Sequence, residues 1–197
     1  MAVMIKDWAT IEDFAALFQY LWYRDFPMDE IATGAQRADW TIHLGIVVRN
    51  VGDLLGFVTR FETGGRKDAV LRSTAGDEIA VEWEWGGVWG NELKKLRTHD
   101  VWSKDGSKRV LKYAVFITYT HASETEMESV YDKVTKEWEG APWPLLLILI
   151  DVEKTRKLRS HRKFKNMHML VFHEGKHKEL RSATAFPWKV LGTRWSY

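Results

Sequence analysis

Leu145–Asp151 reads LLLILID, a continuous apolar run of strand length with no polar face. A strand of this kind has to be covered on both sides, as the central strands of an α/β sheet are. The segment therefore requires two apolar layers from the rest of the chain. The longest apolar stretch, Trp143 to Ile150, is far too short to span a bilayer, so no membrane partner is expected.

The remaining segments can supply those layers. Trp8, Ile11, Phe14, Ala15, Phe18, Leu21 and Trp22 recur every three or four residues and predict a helix over 7–23, closed by Pro27. A second helix is expected over 36–58 on the stripe Trp40, Leu44, Val47, Val48, Val51, Leu55 and Val58. Gly45, Gly52 and Gly56 weaken it by roughly 1 kcal/mol each, unless their spacing serves close approach by a neighbour. Beyond Gly64-Gly65 the period changes. Strands over 67–72 and 79–85 flank a turn at 74–77 and predict a hairpin. A short helix is expected over 91–97 and a strand over 113–120. Ser123 and Glu126 form a capping box that starts a helix over 124–138, which Gly140 and Pro142 end. A basic stretch and a strand over 167–172 complete the reading. The order predicts an α/β sandwich, a central mixed β-sheet flanked by helices, in one domain over residues 1–197.

The absence of cysteine excludes disulfides, thiolate zinc sites and a cysteine nucleophile. The first residues, MAVMIKDWATIEDF, lack the apolar core of a signal peptide, so a cytoplasmic protein is expected. Residues 1–100 carry 11 Lys and Arg against 16 Asp and Glu, whereas 101–197 carry 18 against 11. Such a split suits a protein that holds metal in one place and phosphates in another. The eleven tryptophans can build core, a stacking surface, or both.

The acidic half is most informative at KDAVLRSTAGDEIAVEWEW. Alternation puts Glu82 and Glu84 on one face of a strand and Val81, Trp83 and Trp85 on the other, with the Trp face buried. The two carboxylates then stand about 7 Å apart. Whether Asp68 joins them depends on register. A two-residue loop pairs Thr74 with Asp77 and leaves Asp68 opposite Trp83. A three-residue loop with left-handed Gly76, or a bulge, shifts pairing by one and brings three carboxylates together. The convergent register is the expected one. Converging carboxylates repel one another and call for a cation, and oxygen-only ligands suit Mg²⁺ or Mn²⁺. The competing reading is a half-solvated sheet that turns Trp inward and Glu outward.

These residues resemble the PD-(D/E)xK nuclease superfamily over roughly 36–151, with 152–197 as a basic, Trp-bearing C-terminal extension. The resemblance implies a restriction-endonuclease-like sandwich on a central four-stranded mixed sheet. It implies a Mg²⁺- or Mn²⁺-dependent endonuclease acting on nucleic acid, DNA first among the candidates. Asp68 resembles the metal-binding aspartate, and Glu82 the first residue of (D/E)xK. Glu84 stands where the lysine usually is, and Glu62, in RFETGG at the end of the long helix, resembles the additional helix acid. Catalysis would then fall to Asp68, Glu82 and Glu84, and metal binding to Asp68, Glu82 and Glu62. Lys67 replaces the motif proline. Lys67, Lys94 and Lys95 are the candidates to replace the missing lysine. Enzymes that cut both strands are commonly two-fold homodimers.

The basic stretch KTRKLRSHRKFK holds Lys154, Arg156, Lys157, Arg159, Arg162, Lys163 and Lys165 without an acid. Such a run can contact several phosphates; a solvated loop or a strand edge blunted by lysine is the plainer reading. Trp188, Trp195 and Tyr197 could add stacking. His173–His177 (HEGKH) matches H-E-x-x-H, but the surroundings read as a strand and a turn, and no third ligand follows. No phosphate loop and no G-x-S-x-G elbow is present. A non-catalytic nucleic-acid-binding or interaction protein with the same sheet is the alternative function.

Overall fold

A computed structural model describes residues 9–26, 37–63, 67–84, 89–121, 123–153, 163–189 and 191. Four helices, α1 (Ile11–Arg24), α2 (Arg37–Leu54), α3 (Trp89–Arg97) and α4 (Glu124–Trp138), cover a seven-stranded mixed sheet. Its strands are β1 (Val58–Thr63), β2 (Lys67–Arg72), β3 (Asp77–Glu84), β4 (Tyr113–Thr120), β5 (Leu145–Glu153), β6 (Lys163–His173) and β7 (Lys176–Thr184), in sequence order across the sheet. Strands β3, β4 and β5 are parallel to one another and the other pairs are antiparallel. Helices α3 and α4 are the crossovers that parallel neighbours require.

The LLLILID run is explained by two cores. Leu146, Ile148 and Ile150 join Phe14, Phe18, Trp22, Val47 and Val51 beneath α1 and α2. Leu145, Leu147 and Leu149 join Leu93, Leu96, Val134 and Trp138 beneath α3 and α4. Trp22 stacks on Trp40 at 5.0 Å between centroids, and Trp40 meets Phe164 edge-on at 4.5 Å. These tryptophans build core. His43 lies in the same aromatic cluster, where burial pushes its imidazole down to about 4.

Three expectations need correction. The second helix stops at Leu54, because Gly56 takes a left-handed φ of 75° and closes it. Phe57 N–H donates to Gly52 O at 2.8 Å and Gly56 N–H to Asp53 O at 3.1 Å, the paired bonds of a Schellman end. The apolar residues beyond it begin a new edge strand, β1. The second correction is the extent of the sheet: β6 contains the expected strand over 167–172, and β1 and β7, which were not expected, bring the sheet to seven strands, so 163–184 belongs to it. The third concerns β3, whose two faces are both covered; Ile79, Val81 and Glu82 are all buried.

The β2–β3 hairpin takes the shifted register. Ala69 pairs with Val81 and Leu71 with Ile79, whereas Arg72 pairs with Asp77, so Glu78 is the extra residue of a bulge. Both bulge carboxylates are anchored. Asp77 accepts from Arg72 Nε at 2.7 Å and Trp102 N–H at 3.0 Å, and meets His99 Nε2 at 3.0 Å. Burial alone would raise the Asp77 carboxyl, but these three partners together hold it below its ordinary value. Glu78 takes Ser73 Oγ at 2.6 Å and Arg109 Nη2 at 3.1 Å.

Close approach of α2 to the sheet is what Gly52 supplies. A Cβ there would lie 2.4 Å from Thr59 Oγ1 and 2.9 Å from Leu71 Cδ2, whereas one at Gly45 would meet only Phe61 Cε1 at 3.9 Å. We therefore expect Gly45→Ala to stabilise the protein by roughly 0.5–1 kcal/mol through helix propensity. Gly52→Ala should destabilise it by about 1–3 kcal/mol through overpacking. Urea denaturation of the two variants gives the opposite signs if the packing is as described.

Candidate active site

The site is built where the parallel strands end. In sheets of this kind the carboxyl ends of the parallel strands leave a crevice between sheet and helices. Glu82 and Glu84 lie at that end of β3, and antiparallel β2 begins beside them with Lys67 and Asp68. The pairing of Ala69 with Val81 sets Asp68 against Glu82 on the α3 side of the sheet. Asp68 is half-buried, and its Oδ2 accepts the Trp83 N–H at 2.7 Å.

Glu82 sits under α3, 2% exposed, with Oε1 buried and without a hydrogen-bond partner. Its other oxygen, Oε2, is 3.4 Å from Lys95 Nζ. Lys95 also lies 4.0 Å from Glu92 Oε1, one turn earlier on α3. Glu92 is itself buried, and its Oε2 lacks a partner. A Glu and a Lys three residues apart on one helix face are natural neighbours, and here the pair is aimed at a carboxylate on the sheet.

The electrostatics follow from burial. Desolvation, with Asp68 adding a like charge, pushes the Glu82 carboxyl up to about 7, although Lys95 and Lys67 pull the other way. Asp68 is also raised, first by burial against the pull of the Trp83 N–H, with Glu62 and Glu84 adding repulsion and Lys95 opposing it. Lys67 is 4% exposed; burial lowers its ammonium, which Glu82 in turn steadies. Glu82 and Lys67 are thus buried at one spot, with Asp68 half-buried beside them and Lys95 reaching in from a partly solvated position.

The other expected residues are placed as follows. Glu84 is half-buried near the end of β3, and its carbonyl accepts Thr118 Oγ1 at 2.8 Å. Glu62 lies on β1, not on a helix, exposed and in the left-handed region at φ 50°. Both bear on Asp68 electrostatically. Among the described residues, no three Asp, Glu or His side chains are close enough together to hold a metal ion by themselves. The expected triple convergence is thus an opposed pair, Asp68 and Glu82, with Glu84 and Glu62 at its margin.

Lys154, Arg156, Lys157, Arg159 and Arg162 lie outside the described residues, as do Trp195 and Tyr197. The chain leaves β5 at Glu153 and enters β6 at Lys163, which pairs with Glu153. Because β5 runs parallel to β3, this exit lies on the edge that carries Glu82. Lys165 is exposed near the start of β6. HEGKH is a two-residue hairpin turn, with Glu174 and Gly175 at φ 51° and 69°. His173 pairs with Lys176 and Phe172 with His177, so the two histidines project from opposite faces and cannot share a metal.

No protein-family model matches the chain, and no curated protein does. Among solved structures it has a likeness to a carbon-nitrogen hydrolase from Helicobacter pylori G27, at 8% identity and a TM-score of 0.39, covering 90% of this chain and 80% of that one. A second likeness is to the YaeQ protein from Xanthomonas axonopodis pv. citri, at 10% identity and a TM-score of 0.27, covering 88% and 80%. Scores this low carry no fold or function across.

The raised Glu82 carboxyl links folding to pH. Below about 4.5, its ordinary value, Glu82 is protonated in both folded and unfolded chains and its burial costs nothing. Between about 4.5 and about 7 the unfolded chain ionises Glu82 while the folded protein still holds its proton, so stability falls across that window by on the order of 3 kcal/mol and levels off above it. Glu82→Gln should remove that fall, leaving the metal-free variant more stable than wild type at pH 8. Lys95→Met should steepen it by taking away the counter-ion. Chemical denaturation from pH 4.5 to 8.5 checks both; parallel pH profiles for wild type and Glu82→Gln would show that Glu82 titrates normally.

Proposed function

We propose that this chain is a metal-dependent nuclease of the PD-(D/E)xK type with a restriction-endonuclease-like fold, an endonuclease hydrolysing phosphodiester bonds with DNA as its first candidate substrate. One observation carries the reading. Glu82 is a buried carboxylate opposed by Asp68, with one oxygen unpartnered and the other facing a lysine, at the carboxyl end of a parallel strand. A solvated sheet face would not bury it.

The residues fit a hard divalent cation. Mg²⁺ is typically held by one or two carboxylates, with its remaining positions left to water and substrate phosphate. Asp68 and Glu82 would hold it, and the unpartnered Glu82 Oε1 is the orphan donor that such an ion satisfies. Glu62 and Glu84 add negative charge to the same spot. When bound, the ion supplies charge neutralisation on the phosphate and acidifies water.

The protein's own part is positional. Lys95, placed between Glu82 and Glu92, pulls Glu82 toward its ionised form and presents its ammonium beside the carboxylate pair, in the role that the residue at 84 would otherwise play. Its remaining N–H donors can orient the attacking water and stabilise charge on the phosphoryl oxygens. Water oxygen then bonds to phosphorus, the ester P–O bond breaks, and the proton from water ends on the leaving alkoxide. Cations of the 154–165 run would hold the nucleic-acid backbone.

The decisive experiment offers single- and double-stranded DNA and RNA to the full chain with Mn²⁺ or Mg²⁺. We expect metal-dependent internal cutting, abolished in Glu82→Ala and Asp68→Asn and lowered by roughly 100-fold or more in Lys95→Ala. Equal traces in wild type and variants would mean a contaminant. No cutting of any substrate, with binding that weakens steeply in salt, would replace this reading with a non-catalytic nucleic-acid-binding protein.

A further inference from the structure

The tryptophans divide by exposure. Trp22, Trp40, Trp138 and Trp143 are buried, whereas Trp102, in the segment between α3 and β4, is 45% exposed. Trp102 is nevertheless held firmly. Its N–H donates to Asp77 Oδ2 at 3.0 Å, and its carbonyl accepts the Asp77 N–H at 2.9 Å. The Arg72 guanidinium, itself fixed by Asp77 Oδ1 at 2.7 Å, lies over the ring, 4.5 Å from its centroid. One face of the indole is thus backed by an anchored cation. The exposed area is left to the rest of the ring.

Positive charge surrounds this platform. Residues 98–112 carry Lys104, Lys108, Arg109 and Lys112 against Asp100 and Asp105, and the three lysines are exposed. A bridge between Gly76 and Ser103 keeps the chain locally extended, so Trp102 and Lys104 point to the same side. A cavity of about 450 Å³ opens there, lined by Ala75, Lys104, Asp105, Ser107 and Arg109. Asp105 is engaged within its own turn, accepting the Ser107 N–H at 2.9 Å and the Ser103 hydroxyl. Arg109 is anchored to Glu78 through Nη2 at 3.1 Å.

We propose that Trp102 and the cations of 104–112 form a contact for single-stranded nucleic acid, in which an unpaired base stacks on the indole and Lys104 and Lys108 hold the flanking phosphates.

The chemistry selects this occupant. Lysines alone would suit any polyanion, but an acidic peptide offers no flat π-face to a fixed indole, whereas every nucleobase does. In a duplex those faces are covered by neighbouring base pairs, so the partner is unpaired. The contact lies at the Asp77 end of β3, roughly 17 Å along the strand from Glu82. It does not rest on the chemistry proposed for the carboxylates.

Fluorescence anisotropy of a labelled oligothymidine of about 12 nucleotides, within the usual footprint of a single-strand site, tests this on the full chain in EDTA. Wild type should bind it, with an affinity that falls steeply as salt rises. Trp102→Ala should weaken binding roughly 5- to 150-fold and Trp102→Phe should keep most of it, with affinity for a duplex of the same length unchanged. The double variant Lys104→Glu and Lys108→Glu should weaken binding and flatten its salt dependence. Both lysines are exposed, so its melting temperature should stay that of wild type, and this arm does not depend on the packing of Trp102 against Arg72. No binding at about 100 µM protein in low salt overturns the proposal. So does binding that Trp102→Ala leaves unchanged, or Trp102-dependent binding of polyglutamate instead, which would mean a protein partner. Metal-dependent cutting is scored separately, so either result leaves the nuclease reading to its own test.

Discussion

Everything at the site depends on a single residue's worth of register between β2 and β3. Side chains alternate across a strand, so a slip of one would turn Asp68 toward α1 and α2 and leave Glu82 facing α3 alone. The bulge at Glu78 prevents this, and it is held by a network at the opposite end of the hairpin from the carboxylates. Asp77 ties Arg72, His99 and the Trp102 amide; Glu78 ties Ser73 and Arg109. An orphaned buried carboxylate is costly, so each alternative register would strand at least one of these two acids. Gly76 belongs to the same lock, since a Cβ there would lie 2.3 Å from Trp102 O.

The site sits on that frame as an unfavourable element. Glu82 is buried beside a like charge, and one of its oxygens bonds to nothing. Lys95 reaches it at 3.4 Å from a partly solvated position, too long for the attraction to cancel the desolvation. An apolar residue at 82 would fill the core beneath α3 at lower free energy. A carboxylate retained in such a place is better explained by what it binds than by what it stabilises.

Much of the fold was legible in the sequence because its signals are local. LLLILID announced a doubly covered strand, and Ser123 and Glu126 marked the start of α4. The convergent register was legible too, as one of two options set by the turn. What escaped was whatever depends on distant segments. The apolar stripe of α2 continues through Leu55 and Val58, so the helix ran on in the reading and hid β1; only the left-handed Gly56 breaks it. β7 reads KHKELRSAT, an exposed edge without apolar alternation, and so gave no strand signal. Trp and Glu alternating in β3 looked like one dry and one wet face, because nothing in those residues reveals that α3 covers the second. The place of Lys95 follows from that same packing. Of three lysines within reach along the sequence, only the fold brings Lys95 to Glu82.

The distribution of cost across the molecule supports the same conclusion from another side. Repulsion between Asp68 and Glu82, the unpaired oxygens of Glu82 and Glu92, the buried ammonium of Lys67 and the left-handed glutamate at 62 all fall at one edge of the sheet. A left-handed non-glycine residue costs about 1 kcal/mol or more. The two apolar cores and the Asp77 carboxylate lie away from that edge and are well satisfied, and the other buried atoms without a partner, His43 Nε2, Thr59 Oγ1, His99 Nδ1, Arg109 Nη1 and Trp143 Nε1, include no carboxylate oxygen. Both orphaned carboxylate oxygens lie where the parallel strands end, which is what a protein that meets a cation there would carry, since the cation supplies the missing partner on arrival.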